Sequence, residues 1–223
     1  MTGQELINCF RELAQDRVVP CLWSDDWILE QLNEGEREAC DRARLLFDDS
    51  TPAITRLDVK AGQARYVSID ARVIDIVRAF FVTPGSPEAG YWLKLQNRPD
   101  LDWHHGTDWR TRQGLPHALI HDGNRSVTLA PMPNTDGTLK LEVYRLPMQT
   151  FDLTAEPEIP GVHHNELVHW ALYKAFWIPD PDEQNQQRAI YYHGLFEQHF
   201  GRHVDARKRR IQHENRPHIN KPW

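Results

Sequence analysis

Twelve histidines stand among 223 residues, and those of the last third are close enough together to suggest a metal site. The run His164-Asn165-Glu166-Leu167-Val168-His169 has the residue types of a zinc-protease helix. Two zinc ligands on one helix need i,i+4 spacing, with the glutamate directly after the first histidine. Here the histidines are five apart, about 500° of rotation at 3.6 residues per turn, so they diverge. His199 and His203 have the i,i+4 separation, but Gly201 between them ends a helix. Neither set has an obvious third ligand, nor does the pair His104-His105. The reading is helix-end and surface histidines, with no metal and no cofactor. Asp180, Asp182 and Glu183 lack the spacing of a twelve-residue calcium loop, and acids are favoured at a helix N-terminus in any case. Glycine-rich phosphate loops and a Gly-x-Ser-x-Gly elbow are missing, so no catalytic residue is assigned. The alternative is a small metal-dependent hydrolase using the clustered histidines, and stoichiometric zinc in purified protein would favour it.

The second group with chemical potential is basic. Residues 202–223 carry seven Lys and Arg against two acids, net +5, whereas residues 1–201 carry nineteen against thirty, net −11. Within this end lie Arg207, Lys208, Arg209, Arg210 and Ile211, and Trp223 closes it. A solvated tail is the plain reading of such a run. Apolar anchors beside the charges are what an arm needs to bind a groove, and they favour docking onto a partner. The acidic body argues against wrapping nucleic acid, because phosphate binding needs cation density. It leaves room for a surface past which DNA slides without sticking.

The elements that must position these groups follow from the periodicity. The 40% hydrophobic fraction and eight tryptophans fit a folded protein. Apolar runs such as 76–82 are too short to span a bilayer, and residues 1–16 lack the core of a signal peptide, so a cytoplasmic protein without membrane contact is expected. Cys9, Cys21 and Cys40 form no Cys-x-x-Cys pair and read as buried free thiols. Leu6, Cys9, Phe10 and Leu13 step helically. After a break at Val19-Pro20, Ser24 caps a second helix whose stripe is Ile28, Leu32, Gly35, Ala39, Ala43 and Leu46. Gly35 costs about 1 kcal/mol relative to Ala there, which implies close approach of a neighbouring backbone.

The middle alternates with period two. Residues 55–59, a turn at Ala61-Gly62-Gln63, residues 65–69 returning, and residues 73–82 read as strands. Residues 126–130 and 138–145 read as a hairpin in which Leu139, Leu141 and Val143 face one way and Lys140, Glu142 and Tyr144 the other. The stretch 83–116 reads as a long functional loop. Leu167, Val168, Ala171, Leu172, Ala175 and Phe176 give one further helix, and Ala189, Tyr192, His193, Phe196 and Phe200 another, with an acidic turn at 179–183 between them. So short a turn makes the two antiparallel neighbours. The expected fold is α+β: an antiparallel bundle of N-terminal (1–50) and C-terminal (157–201) helix pairs, an inserted antiparallel β subdomain (51–156), and an extended basic tail (202–223).

Several short signatures occur in a set order: Trp23-Ser24-Asp25-Asp26, then Leu32-Asn33-Glu34-Gly35-Glu36-Arg37-Glu38 and Ala61-Gly62-Gln63 with Tyr66. Leu129-Ala130-Pro131-Met132-Pro133 leads to Gly137-Thr138-Leu139 and Val143-Tyr144-Arg145-Leu146-Pro147. Pro157-Glu158-Ile159-Pro160, His164 and Trp170-Ala171-Leu172-Tyr173-Lys174-Ala175 follow, with Phe196 and Phe200-Gly201 beyond. In this order the chain resembles the phage head-to-tail connector (adaptor) family of the tail tubular protein A type, over about nine-tenths of its length. The resemblance implies a non-enzymatic virion protein at the head–tail interface, made in the host cytoplasm. It implies a ring of twelve copies on the portal protein, a DNA channel without specific DNA binding, and an attachment surface for the next tail protein. It also implies a C-terminal arm into the portal, here the segment holding Arg207, Lys208, Arg209, Arg210, Ile211 and Trp223.

Overall fold

The computed structural model describes residues 1–66, 69–83, 90–121, 125–177 and 183–204. Its elements in chain order are α1 (Gly3–Ala14), α2 (Asp25–Ala43), β1 (Leu46–Asp48), α3 (Pro52–Thr55), β2 (Arg56–Val59), β3 (Arg65–Tyr66), β4 (Val73–Val82) and β5 (Gly90–Leu95). There follow α4 (Arg98–His105), β6 (Gln113–Gly114), β7 (Ala118–His121), β8 (Val127–Ala130), β9 (Met132–Pro133), β10 (Gly137–Arg145), α5 (Leu167–Phe176) and α6 (Glu183–Phe200). The chain is thus mixed α+β. It divides into a helical unit, residues 1–46 with 145–203, and a β unit holding residues 47–144.

In the helical unit, local chemistry starts each helix. Thr2 and Glu5 form a reciprocal capping box on α1. Ser24 Oγ accepts the Trp27 N–H at the start of α2, where Asp25 and Asp26 also suit the helix dipole. The helices pack around α5, which contacts α1, α2 and α6. Leu6, Ile7, Phe10, Ile28, Leu32, Leu167, Leu172 and Phe196 are fully buried. Each such side chain contributes about 1.5–3 kcal/mol by leaving water. Two positions of the expected stripes, Leu13 and Ala43, are exposed instead. A Cβ on Gly35 would stand 3.0 Å from Trp170 Cβ, so the close neighbour is the root of a side chain on α5. Of the cysteines, all free, only Cys40 is buried.

The β unit carries a sheet in the order β1-β10-β4-β5-β7-β8-β3, with β2 also on β10, and a separate pair β6-β9. Pairing is mostly antiparallel, but β5 with β7 and β6 with β9 are parallel, which corrects the expectation of a purely antiparallel subdomain. The hairpin expected from 126–130 and 138–145 does not form. β8 pairs with β7 and β3, while β10 pairs with β2. The link Pro131–Asp136 is instead occupied by β9 and by Asp136, whose Oδ1 accepts the Ala61 N–H at 2.9 Å. For the same reason β2 and β3 flank the turn at 61–63 without pairing to each other. The faces of β10 are as expected: Leu139, Leu141 and Val143 are buried and Lys140 is exposed. The stretch 83–116 is not a plain loop. It holds β5, α4 and a 3-10 turn at Asp108–Arg110, closed over Leu101, Trp109, Ala118, Ile120 and Ala130. Asp102 fastens that cover, accepting Trp109 Nε1–H at 2.8 Å and Arg110 Nη2–H at 2.7 Å.

Candidate interaction surfaces and the histidine clusters

The docking residues read from the sequence, Arg207, Lys208, Arg209, Arg210, Ile211 and Trp223, lie outside the described residues, as does the acidic turn with Asp180 and Asp182. What is described is the root from which the basic end departs. α6 stops at Phe200 because Gly201 takes φ +85°, a conformation that a side chain opposes. Arg42 on α2 holds this end. Its side chain is only 3% exposed and lies between the rings of Trp170 (5.3 Å) and Phe196 (5.1 Å). It pairs with Glu38 at 3.0 Å and donates to the Gly201 carbonyl at 3.4 Å. His203 reaches Asp41 at 3.8 Å.

A strap preceding α5 is fastened to α2 by buried polar groups. Asn33 donates to the Phe151 carbonyl at 3.0 Å and accepts the Phe151 N–H at 2.9 Å. Glu36 Oε1 accepts the N–H groups of Glu158 (2.5 Å) and Ile159 (3.2 Å). Glu158 in turn accepts from Arg145 Nη2 at 2.6 Å and from the Met148 N–H at 2.8 Å. Burial pushes the Glu36 carboxyl up to about 7, against the lowering effect of its two backbone donors. Burial likewise pushes the Cys40 thiol up to about 12, which makes it an inert packing group.

The histidines are brought together differently from their sequence spacing. His164 is buried: its Nε2 lies 2.8 Å from the Ile159 carbonyl and its Nδ1 2.9 Å from the Met1 amine, so it serves the strap. His169 Nδ1 lies 3.0 Å from Glu166 Oε2. His163 Nδ1 and His199 Nε2 meet at 2.8 Å, a pair 36 residues apart that no local spacing signals. Desolvation and the neighbouring His199 lower the His163 pKa. Among the described residues no group of three or more His, Cys, Asp or Glu could hold a metal ion.

The β unit presents an outer sheet face on which β5, from the stretch expected as a loop, pairs with β4, an expected strand. Trp92 is 53% exposed, packs on Phe80 across the register pair Phe80↔Trp92, and lies under the Arg78 guanidinium at 5.4 Å. A cleft of about 300 Å³ beside it is lined by Val77, Arg78, Trp92, Leu93 and Leu95. The only sequence signal was the alternation of Trp92 and Lys94 with Leu93. Across the described residues no helix is long and apolar enough to cross a membrane.

Comparison with protein families places the chain among phage head-to-tail adaptors. The matching model is that of the SU10 adaptor protein, over residues 1–218, and the chain belongs to that family. Family membership makes it a structural protein of a phage virion that interacts with other head and tail proteins. No curated protein matches the chain.

Proposed function

We propose that the protein docks as a ring, of twelve copies, on the portal, prolongs the DNA channel and offers the attachment surface for the next tail protein. The observation that carries this reading is the family match across residues 1–218, which includes nearly all of the basic end. In this reading the helix pairs, 1–50 and 157–201, form an antiparallel bundle, and 51–156 is the inserted β subdomain. The end from 202 onward is the arm, with Arg207, Lys208, Arg209, Arg210, Ile211 and Trp223 as its contacts. The protein acts without catalysis and without a cofactor, and DNA passes the acidic body without specific binding. Assembly takes place in the host cytoplasm before the protein enters the head–tail interface.

Imaging the full chain mixed with its portal tests the reading: a ring seated on the portal is expected. Removing residues 202–223 is expected to abolish docking while the helical unit keeps its thermal transition. A truncated chain that still docks with unchanged affinity removes the arm from the proposal.

A further inference from the structure

The acidity of the chain is unevenly shared. Residues 1–46 and 145–203 hold nine Lys and Arg against eighteen Asp and Glu, net −9, while residues 47–144 hold eleven against twelve, net −1. Within the β unit the outer face carries Arg56, Lys140, Arg78 and Lys94, with Asp58 beside Arg56 and Glu142 beside Lys140 on the same face. Lys140 on β10 stands directly opposite Arg56 on β2 in the register, and both are exposed. Like charges in that relation oppose strand pairing. Arg78, 64% exposed, reaches Glu142 only at 3.7 Å, and Lys94 extends the row beside Trp92. Arg56, Lys140 and Lys94 make no ion pair with any described residue. The helical unit carries the converse: Asp26 and Glu30 are i,i+4 on α2, exposed and without a cation among the described residues. The lysines and arginines of this face and the acidic first turns of α2 are opposite in sign and so complementary to one another.

We propose that the outer face of β2-β10-β4-β5 docks against the acidic α2 of a second copy, with Trp92 as its apolar anchor. The inference rests on the ring reading above and names its contact. Because the two surfaces differ, the contact is heterologous, the kind that propagates from copy to copy and closes into a ring. Exposed Trp next to Arg is the usual composition of an energetic centre, and the flanking charges steer and orient the approach.

The test is a charge exchange in the full chain, read by sedimentation of the chain alone and by imaging with its portal. Arg56→Glu with Lys140→Glu keeps the repulsion within the sheet but reverses its sign. Asp26→Lys with Glu30→Lys does the same on α2. Each pair alone is expected to weaken association at least tenfold, and the four together to restore it. Trp92→Ala is expected to weaken association equally while leaving the thermal transition in place. If the native chain forms rings on the portal and the singly reversed chains do so equally well, or the fourfold variant does not recover, the surface assignment is overturned and the ring reading stands. A native chain that forms no ring even with the portal overturns both.

Discussion

Glu36 on α2 accepts the backbone N–H of Glu158 at 2.5 Å across 122 residues of sequence, and it does so buried. The strap that carries Glu158 has few backbone partners of its own, so a side-chain carboxyl takes the place that a neighbouring strand would fill. An acceptor is needed there, but a charge is not. Burial raises the carboxyl from its ordinary value of 4.5 to about 7.

That shift sets a pH dependence. Between about pH 4.5 and 7 the folded protein holds a proton on Glu36 that the unfolded chain has released. Stability is therefore complete below pH 4.5 and falls as pH rises through 7. Glu36→Gln keeps an oxygen acceptor and removes the titration. The variant is expected to match the native protein near pH 5 and to exceed it by roughly 1–3 kcal/mol at pH 8. Urea unfolding at both pH values measures the difference, and an equal gap at the two would show that Glu36 is not the titrating group.

Gly35→Ala sets two effects against each other. Alanine gains about 1 kcal/mol of helix propensity in the interior of α2. Its Cβ would also come to 3.0 Å from Trp170 Cβ and 3.2 Å from the ring. A contact with the root of a buried Trp cannot be relieved by swinging a flexible side-chain end. A net loss of about 1–2 kcal/mol is expected, read as a lowered denaturation midpoint.

Arg42→Lys looks conservative but should not be. A guanidinium between two aromatic faces is planar and weakly hydrated, whereas an ammonium is neither. The native side chain also spans Glu38 and the Gly201 carbonyl together. A loss of about 1–2 kcal/mol is expected. The C-terminal root should meanwhile become more accessible, seen as faster tryptic cleavage after Arg202.

Much of the helical unit could be read from period and caps. Ser24 before Asp25-Asp26, the run Ile28–Ala39 and the faces of α5 and α6 are properties of segments that decide their own structure. Strand partners could not be read in this way. The alternation along β10 fixes which side of Leu139 faces inward, but it says nothing of whether the neighbour is β8, just before it in the chain, or β2, which ends 78 residues earlier at Val59. The region 83–116 was hidden for another reason: Trp92, Trp103 and Trp109 sit among Pro, Gly and Asp, a turn-like composition, and their order depends on partners such as Asp102. The Arg78–Trp92 face emerges only when β4 and β5 are paired.

The pair His163–His199 gives the last prediction. Two imidazole nitrogens at 2.8 Å need one donor and one acceptor, so the contact exists only while at least one ring is neutral. Desolvation first, and His199 next, lower the His163 pKa below 6.5, with Glu166 opposing them and His164 adding to them. On α5, His169 is lowered as well, mainly by desolvation. A lowered histidine contributes stability above about pH 6.5 that is lost as pH falls through the folded value. The contact pins the final turn of α6 to the 3-10 turn Gly161–Glu166. Amide exchange in residues 196–200 is therefore expected to quicken severalfold between pH 7.5 and 5.5, after correction for the intrinsic rate, while α1 stays protected. His199→Gln offers both a donor and an acceptor without titrating and should flatten that response. If the quickening is the same in His199→Gln, the fastening of α6 does not run through this pair.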